Sequence, residues 1–181
     1  MKHPLHFSII VAVDRKLGIG KNGALPWHLP GDMKHFKEIT TRTNDQTKKN
    51  AVIMGPKTLE TIPEKFRPLP QRINLVLTRN KSLKFPPGIL SAVDFPQALT
   101  ILSEERNQKL IENVFVIGGA EVFKEALNNP CCRKIYLTQI SASFDCDVFF
   151  PELKGGFTKE PCEIFAEENS IKYSFEIYAR I

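Results

Sequence analysis

An α/β domain built on a largely parallel sheet is the fold class this sequence predicts, and three observations predict it. Short apolar runs rich in β-branched residues recur from residue 7 onward, each too short for a helix. Helical patterns lie between several of those runs, as crossovers between parallel strands require. The last run, 171–180, alternates Ile171, Tyr173, Phe175 and Ile177 with no helix before it, so an antiparallel strand is expected there. With 181 residues, 42% hydrophobic and 25% charged, the chain has the size and composition of one soluble domain. No repeat, low-complexity tract or Ser/Gly/Pro-rich linker divides it, so a single domain over 1–181 is expected.

Residues 7–13 predict a first strand buried on both faces, and the runs 51–54, 73–78, 89–93, 114–117 and 134–140 predict further strands. A helix is predicted over 32–41, where Met33, Phe36 and Ile39 fall in phase. A second is predicted over 95–106 on Ala98, Leu99 and Leu102, and a third over 120–127. Gly55-Pro56-Lys57-Thr58 opens another helix after its strand. Prolines at 26, 30, 56, 63, 68, 70, 86 and 87 fall in the connections.

The net charge of +5 calls for an anionic partner: a nucleic acid, a membrane surface, or a phosphorylated or carboxylated small molecule. No basic run interleaves with aromatics, so nucleic acid is not expected as the primary partner. No segment approaches the roughly 18 apolar residues of a membrane span. Cysteines 131, 132, 146 and 162 form no CxxC pair and no His/Cys spacing for zinc, and adjacent Cys131 and Cys132 would bridge only with strain. They read as free thiols in a reducing compartment, and no metal is expected. Lys2 precedes the apolar run 7–13, but no small-residue cleavage site follows and Asp14-Arg15-Lys16 close it, so a cytoplasmic protein is expected and not a secreted one.

Several segments carry the residue types of a binding site. Leu17-Gly-Ile-Gly-Lys-Asn-Gly-Ala-Leu-Pro-Trp27 follows the first strand, and Gly18, Gly20 and Gly23 let its backbone approach a ligand closely. The plain reading is a flexible connection; an apolar Leu25-Pro26-Trp27 at its end also suits a lid that excludes water. Asp32, in the first turn of its helix, is explained by the helix dipole, yet it stands four residues before Phe36 on the stripe of Ile39, which aims it toward apolar surroundings. Strand ends at Gly55-Pro56-Lys57-Thr58, Thr78-Arg79-Asn80 and Gly118-Gly119-Ala120-Glu121 offer anion sites of the kind that hold phosphates. The double glycine lacks GxGxxG spacing; Arg79 and Lys57 would suit a ribose 2′-phosphate, which favours NADP over NAD.

Val11-Ala-Val13, 18–23, Leu25-Pro-Trp27, Val52-Ile-Met-Gly55, Lys57-Thr58, Ile62-Pro-Glu-Lys65, 67–78, Val116-Ile-Gly-Gly119 and Asp147-Val-Phe-Phe-Pro151, in this order, resemble the dihydrofolate reductase family. The resemblance implies a mixed sheet of about eight strands with an antiparallel terminal strand and about four flanking helices, in keeping with the pattern read above. It implies hydride transfer from NADPH to C6 of 7,8-dihydrofolate with a proton delivered to N5, in the service of one-carbon metabolism, and a monomeric target for antifolate inhibitors. It implies that Asp32 holds the pterin N3 and 2-amino edge and promotes N5 protonation through water, with Thr138 anchoring that carboxylate. Arg72 would grip the α-carboxylate of the glutamate tail. Met33, Phe36, Ile62 and Leu69 would wall the pterin and benzoyl rings, and Ile10 and Ile117 would offer backbone carbonyls. For the cofactor, the resemblance implies Ala12 and Ile19 at the carboxamide, Gly18, Gly20 and Leu25 in the lid, and Lys57 and Thr58 at the pyrophosphate. Thr78 and Arg79 would surround the 2′-phosphate, and Gly118, Gly119, Ala120, Glu121, Val122 and Phe123 would border the phosphates and nicotinamide.

Three departures stand out. Phe123 occupies a position where many members carry Tyr, Leu59 one where Trp is usual, and Pro56 one that is often basic. Two other readings stay open: a same-fold reductase of another pterin or of a flavin precursor, which would not need Arg72, and a nucleic-acid module, which the composition disfavours.

Overall fold

The structure, a computed structural model, describes residues 4–153 and 155–181; Lys2, the flank of the apolar run 7–13, lies outside them. In chain order the elements are β1 (Phe7–Val13), β2 (Gly18–Gly20), α1 (Pro30–Thr41), β3 (Lys49–Met54), α2 (Pro56–Thr61), β4 (Arg72–Leu77), β5 (Ile89–Ala92) and α3 (Phe95–Leu102). They continue with α4 (Glu105–Gln108), β6 (Ile111–Gly118), α5 (Ala120–Asn128), β7 (Cys132–Ile140), β8 (Val148–Phe149), β9 (Phe157–Glu168) and β10 (Ile171–Arg180). Eight strands form one sheet in the order β5-β4-β3-β6-β1-β7-β10-β9. The pairs from β5 through β7 are parallel, and β10 runs antiparallel to both β7 and β9, as its alternation predicts.

Helices cover both faces, which is why the parallel strands are nearly continuous apolar runs. Ile9, Val11 and Val13 of β1 pack with Phe95, Ala98 and Leu102 of α3 and Phe123 and Ala126 of α5. The opposite side chain of β1, Ile10, packs with Val52 and Met54 of β3, Leu59 of α2, and Phe36 and Ile39 of α1. A third cluster joins Trp27 and Leu29 to Ile140 and Tyr173 at the antiparallel end.

Two expectations are corrected, and two features of the terminal hairpin are added to them. The helix predicted over 95–106 ends at Leu102: the Ser103 N–H closes it onto the Leu99 and Thr100 carbonyls, and a separate single turn, α4, makes one α-helix more among the described residues than the four expected. Met33 is not on the buried stripe of α1; it is 49% exposed, and Asp32 and Thr40 are buried with Phe36 and Ile39 half-buried beside them. The alternating face of β10 is not the only buried one, because Ser174 and Glu176 are buried between Tyr178, Lys159 and Glu163. Residues 157–168, which carry no apolar period, form the edge strand β9, whose side chains are mostly exposed. The four cysteines are free thiols, Cys132 buried and Cys162 exposed.

Candidate active site

β1, β3, β4 and β6 are parallel neighbours, so their carboxyl ends share one rim, where Thr78 and Gly118 lie, whereas Arg72 opens β4 at the opposite end of its strand. Pro30 fixes the first turn of α1, which holds Asp32, 7% exposed, over the sheet. Thr138 of β7, opposite Ala12 of β1 and Phe175 of β10, raises its hydroxyl to Asp32 and donates to Oδ1 at 2.7 Å. Burial pushes the Asp32 carboxyl above the usual carboxylate range, the Thr138 hydrogen bond pulls it back, and the charge of Glu168 pushes it up again. No cation pairs with Asp32 among the described residues. The result is an acid that keeps a proton to higher pH than a surface carboxylate.

Beside it Ile10, Phe36, Ile62, Leu69 and Ile117 belong to one apolar cluster, so five of the predicted wall and carbonyl residues are together. Met33 stands on the exposed side of α1 at this cluster's edge. At the far end Arg72, 9% exposed, donates from Nη1 to Thr40 Oγ1 at 2.8 Å and from Nε to the Pro70 carbonyl at 2.9 Å, with its guanidinium carbon 5.9 Å from the Phe36 ring centre. Burial lowers the guanidinium to about 10, still a cation at neutral pH. Asn74 fixes the turn that aims it, bonding both the N–H and the carbonyl of Leu69 at 2.9 Å across Gln71, whose φ is 63°.

The second half of the rim is bare backbone. β3 and β6 are locked by the Gly55 N–H to the Gly118 carbonyl at 2.8 Å, and Gly118 has φ 121°, a conformation closed to most L side chains. A Cβ at Gly118 would lie 3.3 Å from the Phe123 ring and 3.4 Å from Thr58 Oγ1. Gly119 begins α5 with no side-chain cap, so the N–H groups of Ala120, Glu121 and Val122 have no intrahelical acceptor. Thr78, with Asn80, Lys81 and Gln97, lines a recess of about 230 Å³, and Arg79 and Lys57 are exposed beside the strand ends. A recess of about 400 Å³ between α5 and Pro151–Phe157 gathers none of the predicted residues.

The segment 14–24 is tied down. β2 pairs with β8, Lys21 and Ala24 exchange backbone hydrogen bonds, and Asn22 N–H donates to Asp147 at 3.0 Å. Gly18 and Ile19 lie in β2 with Gly20, Leu25 is 49% exposed, and Ala12 packs against the cluster of Trp27.

The dihydrofolate reductase family model matches residues 6–180. The chain belongs to the dihydrofolate reductase family. A dihydrofolate reductase of Aedes albopictus is 41% identical over 181 residues, covering 97% of both chains, and that of Drosophila melanogaster is 41% identical over 179 residues. This chain spans about a third of the length of the plant relatives it matches: the bifunctional dihydrofolate reductase-thymidylate synthase 2 of Arabidopsis thaliana is 41% identical over 178 residues, covering 97% of this chain and 32% of that one. The Schistosoma mansoni dihydrofolate reductase structure superposes with a TM-score of 0.87 at 34% identity, covering 99% of this chain and all of that one.

Within this dihydrofolate reductase frame the three departures have physical settings. Phe123, 2% exposed, packs edge-on against Phe150 at 5.1 Å, which leaves no hydroxyl under Gly118. Leu59 is buried in the cluster of Ile10, and Pro56 serves as the first residue of α2. Other buried polar groups lie behind these segments, and of them the sequence reading singles out only Trp27. Asp14, fully buried, accepts from the N–H groups of Lys16, Gly18 and Phe144 at 2.8, 2.7 and 2.8 Å, and so joins the start of the glycine segment to the β7–β8 connection. Its position, a lone acid closing an apolar strand before a glycine loop, was the available signal. Trp27 keeps its buried indole N–H without a protein partner. Asn50, fully buried, bonds the carbonyls of Thr40 and Arg42 at 3.1 and 2.8 Å and thereby holds the residue that steadies Arg72.

Proposed function

We propose that this chain is an NADPH-dependent dihydrofolate reductase that converts 7,8-dihydrofolate to tetrahydrofolate, working as a cytoplasmic monomer and open to antifolate inhibitors. One observation carries the reading: a buried carboxyl, Asp32, bonded by Thr138 and without an ion-pair partner among the described residues, shares α1 with Phe36 of the apolar cluster, and the buried cation Arg72 stands 5.9 Å from that Phe36 ring. That spacing of acid, apolar wall and fixed guanidinium suits a molecule with a polar heterocycle at one end and a carboxylate at the other. The alternative reductases lacking a tail carboxylate leave Arg72 without use.

The uncapped start of α5, the bare Gly118–Gly119 backbone and the Thr78 recess fit a phosphate-rich cofactor. Ala120, Glu121 and Val122 would offer N–H groups to its phosphates, with Thr58 and Lys57 nearby. Thr78 and the exposed cation Arg79 would favour the 2′-phosphate that distinguishes NADPH from NADH. The chemistry NADPH supplies when bound is hydride donation to C6. Asp32 binds the pterin N3 and 2-amino edge, and its raised affinity for a proton promotes delivery to N5 through water. Ile10 and Ile117 carbonyls, Phe36, Ile62 and Leu69 orient the ring, with Met33 at the rim. Gly18, Ile19, Gly20 and Leu25, backed by Ala12, exclude water from above. Four free thiols suit a reducing compartment, and no helix among the described residues is long and apolar enough to cross a membrane.

The test is loss of NADPH absorbance with dihydrofolate present, repeated with Asp32→Asn. The parent should turn over, and the variant should lose most of its rate at neutral pH. An inactive parent, or an unaffected variant, would refute the assignment.

A further inference from the structure

Asp32 is not the only acid at the start of α1. Glu168, the last residue of β9, reaches back over the helix and accepts the Gly31 N–H on Oε1 at 3.0 Å and Oε2 at 2.9 Å, while the Tyr173 hydroxyl donates to Oε2 at 2.9 Å. A second carboxylate is thus fixed on the residue adjacent to the proton-handling one. The contact depends on glycine: a Cβ at Gly31 would collide with the Tyr173 hydroxyl and lie 3.1 and 3.2 Å from the Glu168 oxygens. Tyr173 is 3% exposed, and burial together with the bond to Glu168 pushes its phenol up to about 12, so it donates at every working pH.

The groups facing Asp32 can be named element by element. Thr138 of β7 donates to it, and β1 contributes only Ala12 opposite that threonine. Glu168 comes from β9 and Tyr173 from β10. On α1 itself His35 stacks on Phe175 at 3.8 Å, and burial holds its imidazole below the usual range. Burial is the main cause that opposes ionisation of Asp32, and the charge of Glu168 adds to it. Like charges disfavour a second ionisation nearby, and Glu168 also occupies a helix-start N–H that would otherwise favour a negative Asp32.

We propose that Glu168, held at the start of α1 by the Gly31 N–H and the Tyr173 hydroxyl, is a positioning residue for the reductase reaction that acts through its charge on the neighbouring Asp32. This rests on the reading of Asp32 as the acid of a dihydrofolate reductase. Glu168 touches no reacting atom; it acts through its charge on Asp32.

The experiment uses the full chain and Glu168→Gln, which keeps an oxygen for the Gly31 N–H and removes the charge. Rates are measured across about pH 5 to 9, alongside Asp32→Asn and the carbon-13 titration of the Asp32 carboxyl in the ligand-free protein. Glu168→Gln should move the alkaline limb of the rate profile to lower pH, with a loss of roughly two- to tenfold on that limb and an unchanged acid plateau. The Asp32 carboxyl should titrate lower by the same displacement, and the thermal midpoint should stay near the parent's. Superimposed profiles, with or without a fall in thermal midpoint, would overturn the proposal and leave Glu168 as a helix cap. A displaced Asp32 titration with an undisplaced rate profile would also overturn it. Failure of the underlying reading is recognised separately, by an Asp32→Asn variant that keeps the parent's profile.

Discussion

Replacing Arg72 by Met should abolish recognition of the substrate's carboxylate tail while leaving the protein folded. A guanidinium carries five N–H donors. Two of Arg72's are committed, to Thr40 Oγ1 and the Pro70 carbonyl, and the three that remain are enough for two bonds to a carboxylate. Each bond to a charged partner contributes about 1.5–3 kcal/mol, so two are worth about 3–6 kcal/mol. At about 1.4 kcal/mol per factor of ten, dihydrofolate affinity should fall roughly 10²- to 10⁴-fold. Arg72→Lys should fall between, since it keeps a charge and loses the fork. The fold itself should survive, because burial already disfavours this cation, as its depressed value of about 10 shows, and Met fills similar volume without it. Thr40 still donates to the Phe36 carbonyl at 2.7 Å in the variant. The assay is a titration by calorimetry with dihydrofolate, with a pterin lacking the benzoylglutamate, and with NADPH. Met at 72 should weaken the first and leave the other two within about twofold. Equal loss for the truncated pterin or for NADPH would refute the tail assignment.

Three other perturbations have stated outcomes. Asp32→Asn should lose rate at neutral pH, with the gap narrowing as pH falls and substrate arrives protonated; rate-pH profiles check it. Because the folded-state affinity of Asp32 for its proton is raised, the stability it contributes is complete below the unfolded value of about 3.9 and is lost as pH rises through the folded one. Asp32→Asn should therefore raise the thermal midpoint at pH near 7 and make no difference near pH 3. Gly118→Ala, forced into φ 121° against Phe123 and Thr58, should cost about 1–3 kcal/mol in denaturant unfolding and weaken NADPH binding. Asp14→Ala strands the three N–H donors of Lys16, Gly18 and Phe144 and should cost about 2–4 kcal/mol, with faster hydrogen exchange at those amides before any other.

The parallel half of the fold was legible because burial on both faces leaves a chemical trace: IIVAV of β1 and AVIM of β3 are apolar throughout. β9 left none. Its side chains face water along an edge, with Pro161, Lys159, Glu160 and Glu163 where an alternation would otherwise show. Asp32 was recognisable from its spacing to Phe36 and Ile39 as well as from resemblance, whereas Arg72 was recognisable from resemblance alone. Met33 misled because a helical period locates a stripe only to within a residue, and here the buried polar Asp32 takes the position an apolar residue would. Asp14, Asn50, Asn74 and Glu168 were passed over for a common reason. Each works on backbone groups distant or turned away in sequence, and backbone leaves no letter in the chain.

The bonds that complete the acid's surroundings span 106 residues from Asp32 to Thr138 and 137 from Gly31 to Glu168. On a ribosome, where the amino end emerges first, α1 is exposed long before the hairpin that will face it has been made. The proton-holding character of Asp32 is thus a property of the finished chain alone. Until β10 slots between β7 and β9, the same carboxyl is an ordinary solvent-facing acid, and a ligand that depends on its altered chemistry cannot engage a nascent or truncated chain. Affinity for such a ligand would then serve as a stopwatch for the last step of maturation.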